Sequence, residues 1–335
     1  MADALLVLAT STGGVGQHVA ALERGLTARG LDVAVACPAS TQAVFGFARH
    51  LPLEVGARPH PRDAAAVARL RRLPGRVVHA HGLRAGTLAA LSGRRPLVVT
   101  WHNAQLQGGR LGAALERLVA RRATVTLAAS SDLAATARAR GARDVRVAPV
   151  SAPPLVPTGR DPGLGHPLVL AVGRLHPQKG YDVLVRALPL LGDAVVAVAG
   201  TGPLDEELRA AAPGVRWLGR RDDVADLYAA ADVVVLPSVW EARSLTAQEA
   251  LRLGRPLVTT AVGGLPELVG DGAVLVPPGD AEALGRAVRG LLDDPAAAAA
   301  LAARGRAVAA TWPDEDDTTA EVAAVYAALQ RGGPA

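Results

Sequence analysis

Short apolar runs alternate with longer amphipathic segments along the first 150 residues. A continuous apolar run is typical of a parallel strand buried on both faces, and the segments between the runs show the helical period. The strands are predicted at 4–9, 31–36, 76–80, 96–100, 124–128 and 145–149. The helices are predicted at 15–29, 62–73, 110–122 and 131–140. This alternation predicts a doubly wound, Rossmann-like α/β domain over residues 1–150.

The alternation stops at residues 149–167, which are rich in Pro and Gly. Because proline removes a backbone donor and fixes φ, we predict a linker at 151–167. The alternation then restarts, and a second domain of the same class is predicted at 168–310. Its strands are predicted at 168–172, 194–199, 215–218, 232–236, 257–259 and 273–276. Its helices are predicted at 181–191, 204–211, 223–230, 245–253 and 280–292.

The C-terminal stretch 296–330 is Ala-rich and helical in pattern, with a break at Trp312-Pro313. Residues 311–335 are predicted to form a terminal helix that crosses the junction of the two domains, followed by a tail. We expect the two sheets to face each other across a central cleft. Open α/β sheets bind ligands at the carboxyl ends of their strands, so the strand-end loops are where functional residues are expected.

Length and composition exclude several classes of protein. A chain of 335 residues fits two domains, and 50% hydrophobic with 20% charged residues is typical of a soluble globular protein. The single cysteine, Cys37, excludes a disulfide framework and a multi-cysteine zinc site. No apolar run reaches the length of a membrane span, and Asp3 is unlike the start of a signal peptide, so we expect a cytoplasmic enzyme.

The net charge of +5 is divided unevenly along the chain. Residues 1–150 hold 20 Arg and 8 acidic residues, whereas the rest of the chain is net acidic. The cationic half could meet anionic lipid, nucleic acid or a phosphorylated substrate, or its arginines could simply be solvated. Nucleic acid is disfavoured because aromatic residues are scarce and no nucleic-acid motif is present. The basic segments 69–76 and 110–122 suggest weak docking on the anionic inner leaflet. The alternative is that the apolar stripe of 110–122 packs on the sheet and the arginines are solvated; the stripe consists of Leu111, Leu115, Leu118 and Val119.

The first strand ends in a glycine-rich turn that carries Gly14 and Gly16. Such a turn before a helix lets the backbone N–H groups approach a phosphate, although a plain tight turn is the alternative. A dinucleotide site also needs a third small residue and an acid after the second strand. Here Val19 and Cys37-Pro38 occupy those places, so NAD is disfavoured.

Two cations follow the first strand of the second domain. Arg174 and Lys179 lie five residues apart, and Lys179 is the only lysine of the chain. A planar guanidinium and a mobile ammonium together suit a diphosphate that gains charge as it leaves. Two solvated surface cations are the alternative. Glycines at the ends of later strands give weaker signals of the same kind: Gly173, Gly200, Gly202 and Gly219.

Two glutamates lie eight residues apart in the segment 237–250. Glu241 is predicted in a loop and Glu249 in the first turns of a helix, where Ala247, Ala250 and Leu251 surround it. One carboxylate could face a sugar and the other a ribose diol; a loop acid and a surface acid are the alternative.

These motifs together resemble the GT-B glycosyltransferases of retaining family 4 (glycosyl transferases group 1), of the actinobacterial type. The resemblance rests on Gly173-Arg174-Leu175 with Lys179-Gly180, on the Glu241/Glu249 pair and on 262–280. It extends to the glycine-rich first turn, to 78–81 and to 130–133. It implies a retaining, metal-independent, hexosyltransferase-type enzyme that uses a nucleotide-diphosphate sugar. The acceptor stays open: lipid-linked, a glycan of the cell envelope, or a small molecule.

The resemblance also implies residue roles. Arg174 and Lys179 would hold the diphosphate, Glu241 the sugar hydroxyls, Glu249 the ribose, and His81 would touch the donor sugar near the reacting carbon. The further donor contacts are predicted at Gly14, Gly16, Gly173, Gly200, Gly202, Gly219, Arg243, Ser244 and Leu245. The acceptor contacts are predicted at Gln17, His18, His102 and Asn103. Arg243 and Ser244 depart from the family pattern, which usually has a small or aromatic residue and then glycine there.

No metal and no cofactor besides the nucleotide sugar are predicted. His79 and His81 share one face of a strand, but no third ligand stands near them in the sequence. Asp314-Glu315-Asp316 opens the terminal helix, where acids are expected as caps. Two other functions stay open. A sugar-nucleotide epimerase of the same fold would need carboxylates in the N-terminal half, and a degenerate, non-catalytic binder would explain the altered segment 242–244.

Overall fold

The structure is a computed structural model that describes residues 2–56, 58–104 and 109–331. It divides into two compact units. The first runs to Ser151 and resumes at Pro313, and the second spans Ala152–Trp312. Each unit contains one parallel sheet with helices on both faces, which confirms the predicted α/β class.

The sheet of the first unit has seven parallel strands in the order β3-β2-β1-β4-β5-β6-β7. Six of these strands were predicted, with ends that agree within a few residues. The seventh, β3, is three residues long and has no apolar run that would predict it. The strands are β1 Ala4–Leu8, β2 Val33–Cys37, β3 His50–Pro52, β4 Val77–His81, β5 Leu97–Trp101, β6 Val125–Ala128 and β7 Val145–Val147. The chain reverses its direction of travel across the sheet between β1 and β4, so their carboxyl ends flank the topological switch point.

Six helices of this unit connect the strands. Four confirm the predicted helices, and α2 and α4 are additional. The helices are α1 Gly14–Ala28, α2 Ala39–Phe45, α3 Asp63–Leu70, α4 Gly82–Ser92, α5 Gly109–Arg122 and α6 Ser131–Ala139. Most residues of α4 are buried, so its sequence lacks the alternation of apolar and polar faces that reveals a surface helix.

The sheet of the second unit has six parallel strands in the order β10-β9-β8-β11-β12-β13, all of them predicted. They are β8 Leu168–Val172, β9 Val195–Ala199, β10 Arg216–Gly219, β11 Val233–Leu236, β12 Leu257–Thr260 and β13 Val274–Val276. The helices are α7 Tyr181–Ala187, α8 Asp205–Ala211, α9 Val224–Ala230, α10 Leu245–Arg252, α11 Leu265–Val269, α12 Ala281–Asp293 and α13 Pro295–Ala309. The predicted helix at 181–191 ends early, because Pro189 interrupts it and the chain continues as a 3₁₀ turn.

The predicted linker contains neither helix nor strand, yet it is bound to the second unit. The two carboxylate oxygens of Asp226 on α9 accept hydrogen bonds from the N–H and hydroxyl of Thr158, both at 2.7 Å, and from Gly159 N at 3.1 Å. Leu155 and Leu164 pack against the apolar core of that unit. The segment therefore folds as a strap on the second unit rather than as a free tether.

The chain breaks at the predicted Trp312-Pro313 and forms a last helix, α14 Glu315–Arg331. Asp314 Oδ1 accepts from Asp317 N at 2.8 Å, and Asp317 Oδ2 accepts from Asp314 N at 3.1 Å, so these acids cap the helix as expected. The helix packs in the first unit, where Tyr326 is buried in the core. Across the described ranges, no helix is both long enough and apolar enough to span a membrane.

Candidate active site

The loop after β8 carries the two predicted diphosphate ligands. Lys179 ends a 3₁₀ turn, and its Nζ lies 2.6 Å from Glu241 Oε1. Ser238 Oγ donates to the same carboxylate oxygen at 2.8 Å. The sequence predicted separate contacts for Lys179 and Glu241, and the structure joins them in one charge-assisted, largely buried pair. Two of the three ammonium protons of Lys179 stay available for another anion.

Arg174 differs from Lys179 in its surroundings. Its side chain is exposed, and no carboxylate among the described residues lies within ion-pair distance of it. Burial, helped by the positive charge of Arg174, lowers the pKa of His176 two residues further on. Arg174 therefore offers its full set of guanidinium donors to an anion.

The loop after β11, which holds Glu241, is bound to the loop after β8. Gln178 Nε2 donates to Trp240 O at 2.9 Å, and Gln178 O accepts from Val239 N at 2.8 Å. Gly180 has φ +65°, and a Cβ there would lie 2.0 Å from Pro237 O. The close contact of the two loops thus depends on a glycine at 180, and it places Lys179 against Glu241.

Two of the predicted donor-binding glycines also have a packing role. A Cβ on Gly200 would lie 1.9 Å from Gly173 O, and one on Gly202 would lie 2.2 Å from Leu175 O. These glycines let the loops after β8 and β9 touch. Gly219 follows with φ +66°, and its carbonyl accepts from Gly200 N at 2.8 Å. Ligand binding by these glycines stays a prediction.

Glu249 lies half-buried on α10 and meets a partner that sequence reasoning missed. Tyr228 on α9 donates its hydroxyl to Glu249 Oε2 at 2.8 Å. Burial raises the pKa of Glu249, while this hydrogen bond and the charges of Lys179 and Arg252 act in the opposite sense. The predicted bond from Glu249 to a ribose stays a prediction.

The segment that departs from the family pattern has structural roles. Ser244 caps α10 by accepting from Ala247 N at 3.3 Å, and Leu245 opens the helix. The guanidinium of Arg243 lies 5.7 Å from the centre of the Trp312 ring, and that of Arg252 lies 5.9 Å from it. Burial lowers the pKa of Arg243 to about 10. Arg243 is therefore packed on an aromatic ring of its own unit, and its predicted donor contact stays untested.

In the first unit, α1 begins directly after β1 in the glycine-rich turn. Its N-cap, Gly13, has no side chain that could accept from the first N–H groups of the helix. A Cβ on Gly16 would lie 2.1 Å from the Phe45 ring of α2, so a larger residue there would have to displace that ring. Gly14 is half-exposed, which is compatible with the predicted backbone contact to a phosphate.

Three histidines meet at the carboxyl ends of β1, β4 and β5. His18 lies in α1 just after β1, His81 ends β4, and His102 follows β5. Their exposed fractions are 8%, 2% and 7%. His81 Nδ1 lies 3.2 Å from His102 Nε2, and one ligand nitrogen from each ring lies within 4.8 Å of the others. No third ligand stands near His79 and His81 in the sequence, but adjacent strand ends bring His18 and His102 to His81.

A fourth histidine, His79, supports this trio from inside the unit. Its Nδ1 lies 2.6 Å from the Tyr326 hydroxyl on α14, and its Nε2 lies 2.6 Å from Thr100 Oγ1. Its ring stacks on His81 at 4.2 Å, which confirms that both side chains share a face of β4. Burial lowers the pKa of His79 to about 3 and that of His18 to about 4, so these rings are neutral at pH 7.

The other predicted acceptor contacts, Gln17 and Asn103, are exposed beside the buried His18 and His102. The structure therefore groups all four acceptor predictions at one edge of the first sheet. Their contact with an acceptor stays a prediction.

Known families match both halves of the chain. Residues 13–153 match the family described as "Glycosyl transferase 4-like domain", and residues 166–294 match "Glycosyl transferases group 1". The glycogen synthase of Mycobacterium tuberculosis is 36% identical over 187 residues, which are 52% of this chain and 45% of that protein. The D-inositol 3-phosphate glycosyltransferase of Mycobacterium avium is 36% identical over 180 residues, 49% of this chain and 42% of that protein.

The chain thus spans less than half the length of these curated relatives. Among solved structures, Anabaena HepE in complex with UDP and glucose superposes with a TM-score of 0.82 at 20% identity. The superposition covers 98% of this chain and 100% of HepE, and at that identity it shows the fold. The two halves thus match two glycosyltransferase family models, and the fold of the chain is that of the GT-B glycosyltransferases.

Proposed function

We propose that the protein transfers a sugar from a nucleotide-diphosphate sugar to an acceptor hydroxyl, with retention of anomeric configuration and without a metal ion. The observation that carries the proposal is the Lys179–Glu241 pair beside the exposed Arg174, in the half that matches group 1 glycosyltransferases. In the transfer, the bond between the anomeric carbon and the diphosphate breaks and a bond to the acceptor oxygen forms. The electron pair goes to the diphosphate, and the acceptor proton goes to the leaving phosphate.

The residue roles follow from charge and position. Arg174 and Lys179 stabilise the negative charge that the diphosphate gains as it leaves. Glu241, oriented by Lys179 and Ser238, accepts hydrogen bonds from the sugar hydroxyls. Glu249, held by Tyr228, accepts from the ribose diol. We assign His81 to the reacting centre.

The donor is proposed to carry uridine diphosphate, because HepE, whose fold this chain shares, is described in complex with UDP and glucose. UDP-glucose is therefore the first donor to test. Release of UDP is measured with and without a panel of sugar, polyol and lipid acceptors, and NMR of the product reports the anomeric configuration. UDP release that depends on an acceptor, with an anomer matching that of the donor, supports the proposal. An inverted anomer overturns retention, and no release from any nucleotide sugar overturns the activity.

The epimerase alternative is separated by the same assay. It predicts a changed sugar nucleotide and no acceptor-linked product. The ends of β1, β4 and β5 present the three histidines described above rather than the carboxylates that we expect of an epimerase. A degenerate binder predicts saturable binding of UDP-glucose, seen as a rise in the melting temperature, without turnover.

A further inference from the structure

The imidazole rings of His18, His81 and His102 stand at the corners of a nearly equilateral triangle. The ring centres of His18 and His81 are 5.6 Å apart, those of His18 and His102 are 5.3 Å apart, and those of His81 and His102 are 5.4 Å apart. All three rings are buried. The nearest histidine pair in sequence, His79 and His81, does not create this group, because His79 is bound to Tyr326 and Thr100.

These separations match those of imidazoles that share one metal ion. Two nitrogens bound to a tetrahedral zinc at about 2.0–2.1 Å lie about 3.3 Å apart, with ring centres about 5 Å apart. His81 Nδ1 and His102 Nε2 are already 3.2 Å apart. We propose that His18, His81 and His102 form a binding site for a transition-metal ion of the zinc type, with three imidazole ligands and an open fourth position.

The hydrogen bonding of the trio is incomplete without a ligand. His81 Nδ1 and His102 Nε2 share one hydrogen bond, whereas the buried His81 Nε2 meets no hydrogen-bond partner in the part of the chain that the structure describes. Buried polar atoms are usually satisfied, and one left unpaired costs about 1–3 kcal/mol. One imidazole binds a single ion through one nitrogen only, so an ion held at His81 Nδ1 leaves Nε2 to another partner.

The charge of the site also suits a cation of this kind. All three rings are buried together, and imidazole binds a metal ion through an unprotonated ring nitrogen. The first 150 residues are net positive and oppose a dication, but Glu315 lines the small cavity that also includes His18. The site thus favours imidazole-seeking ions such as zinc, cobalt or nickel over Mg²⁺, which prefers oxygen ligands.

Occupancy of the site should inhibit the enzyme, and this step rests on the proposed function. A metal bound by His81 removes that ring from the reacting centre. The site is therefore inhibitory, and it differs from a metal that would assist departure of the diphosphate.

Binding is tested on the full chain after treatment with EDTA, with Co²⁺ as the probe because tetrahedral Co²⁺ absorbs visible light strongly. We expect wild-type protein to bind one Co²⁺ with a tetrahedral spectrum. His18→Gln and His102→Gln should each lose at least about 10–100-fold in affinity, since even loss of groups that only orient ligands costs that much. His60→Gln, an exposed histidine of the same unit, is the matched control and should bind as wild type.

Two further measurements distinguish loss of the metal site from loss of the fold. Circular dichroism of the metal-free variants shows whether they fold, and anomalous diffraction from zinc-soaked wild-type crystals locates the ion without any variant. Absence of an anomalous peak among the three rings, or equal Co²⁺ affinity in wild type and both variants, overturns the site. If a peak is found at the three rings but zinc does not inhibit sugar transfer, the metal site is supported. The proposed role of His81 at the reacting centre is then wrong.

Discussion

Lys179 and Glu241 are 62 residues apart in the chain, and their side chains share one ion pair. Each is mostly buried, so removing one partner leaves the other charge with fewer compensating contacts. At the scale of single residues, the candidate site is therefore a coupled pair rather than two independent ligands. Arg174 is the cation beside it that remains exposed.

Lys179→Ala should lower turnover by about 100–1000-fold, the loss expected when one preorganised charge partner of a transition state is removed. Glu241 keeps its bond from Ser238, so the protein should remain folded. The measurement is UDP release from UDP-glucose, with Arg186→Ala as a control that removes a surface cation of α7. Activity of Lys179→Ala within a few-fold of that control would mean that Lys179 does not bind the diphosphate.

His18 makes stability depend on pH in a defined direction. Burial lowers its pKa to about 4 in the folded protein, against 6.5 when exposed. Between these values the unfolded chain binds more protons, so the free energy of unfolding should fall as pH falls from about 6.5 to 4, by at most about 1.4 kcal/mol per pH unit from this residue. Urea unfolding at several pH values should show a shallower fall for His18→Gln. Equal slopes in both proteins would contradict the buried, neutral state of His18.

At the scale of elements, the loops after β8 and β11 are joined through contacts that only a glycine permits. Gly180 approaches the Pro237 carbonyl, and the neighbouring Gln178 bonds to both Val239 and Trp240. The position of Lys179 depends on this junction, which links the packing of two loops to the chemistry of the site.

Gly180→Ala should therefore damage both stability and activity. Its Cβ would meet Pro237 O at 2.0 Å, so the loops must separate, at a cost of more than about 3 kcal/mol. Gly279→Ala is the matched control, with φ +78° and no atom within 4 Å of the new Cβ, and should cost about 1–2 kcal/mol with activity kept. The two variants are compared by urea unfolding and UDP release. Similar losses in both would show that the loop contact is unimportant.

At the scale of the whole molecule, the basic charge lies in the first 150 residues, and α5 contributes four exposed arginines to it. For most of this helix, the structure favours the alternative in which the arginines are solvated and the apolar stripe packs within the unit. Val119 is buried next to Gly86 of α4, and Leu115 and Leu118 are half-buried. Leu111, 66% exposed, is the residue of this apolar stripe that stays open to solvent, so the alternative that the stripe packs within the unit is favoured.

If the protein docks weakly on a membrane, the attraction between its arginines and anionic lipid must provide the binding free energy. Each arginine near the lipid contributes about 1 kcal/mol. Wild-type protein should sediment with vesicles that contain anionic lipid, and salt or the double variant Arg117→Glu/Arg121→Glu should release it. Neutral vesicles are the control. Equal recovery in the supernatant with neutral and anionic vesicles at low salt would remove the membrane from the proposal and favour a small acceptor.

The proposal that transfer needs no metal ion is also tested on the whole protein. Because Arg174 and Lys179 supply the positive charge at the diphosphate, EDTA should not lower the rate of UDP release. The rate is compared before and after chelation, with Mg²⁺ or Mn²⁺ added back. A fall in EDTA that either ion reverses would reject transfer without a metal.

The sequence alone determined most elements, because the information for them is local. Apolar runs such as 168–172 and 232–236 became strands, and Trp312-Pro313 broke the terminal helix. Two elements without such a local signal were not predicted. The strand β3 is too short to show a period, and the helix α4 is buried on nearly every side. The order of motifs also predicted the GT-B class that the fold and the family matches confirm.

Tertiary structure alone decided which side chains meet. His18, His81 and His102 are at least 21 residues apart in the chain, and they converge because β1, β4 and β5 are neighbours in a parallel sheet. The Tyr228–Glu249 bond likewise depends on how α9 and α10 pack. Strand order and helix packing are set by contacts between distant residues, and the local period of a single sequence does not contain them.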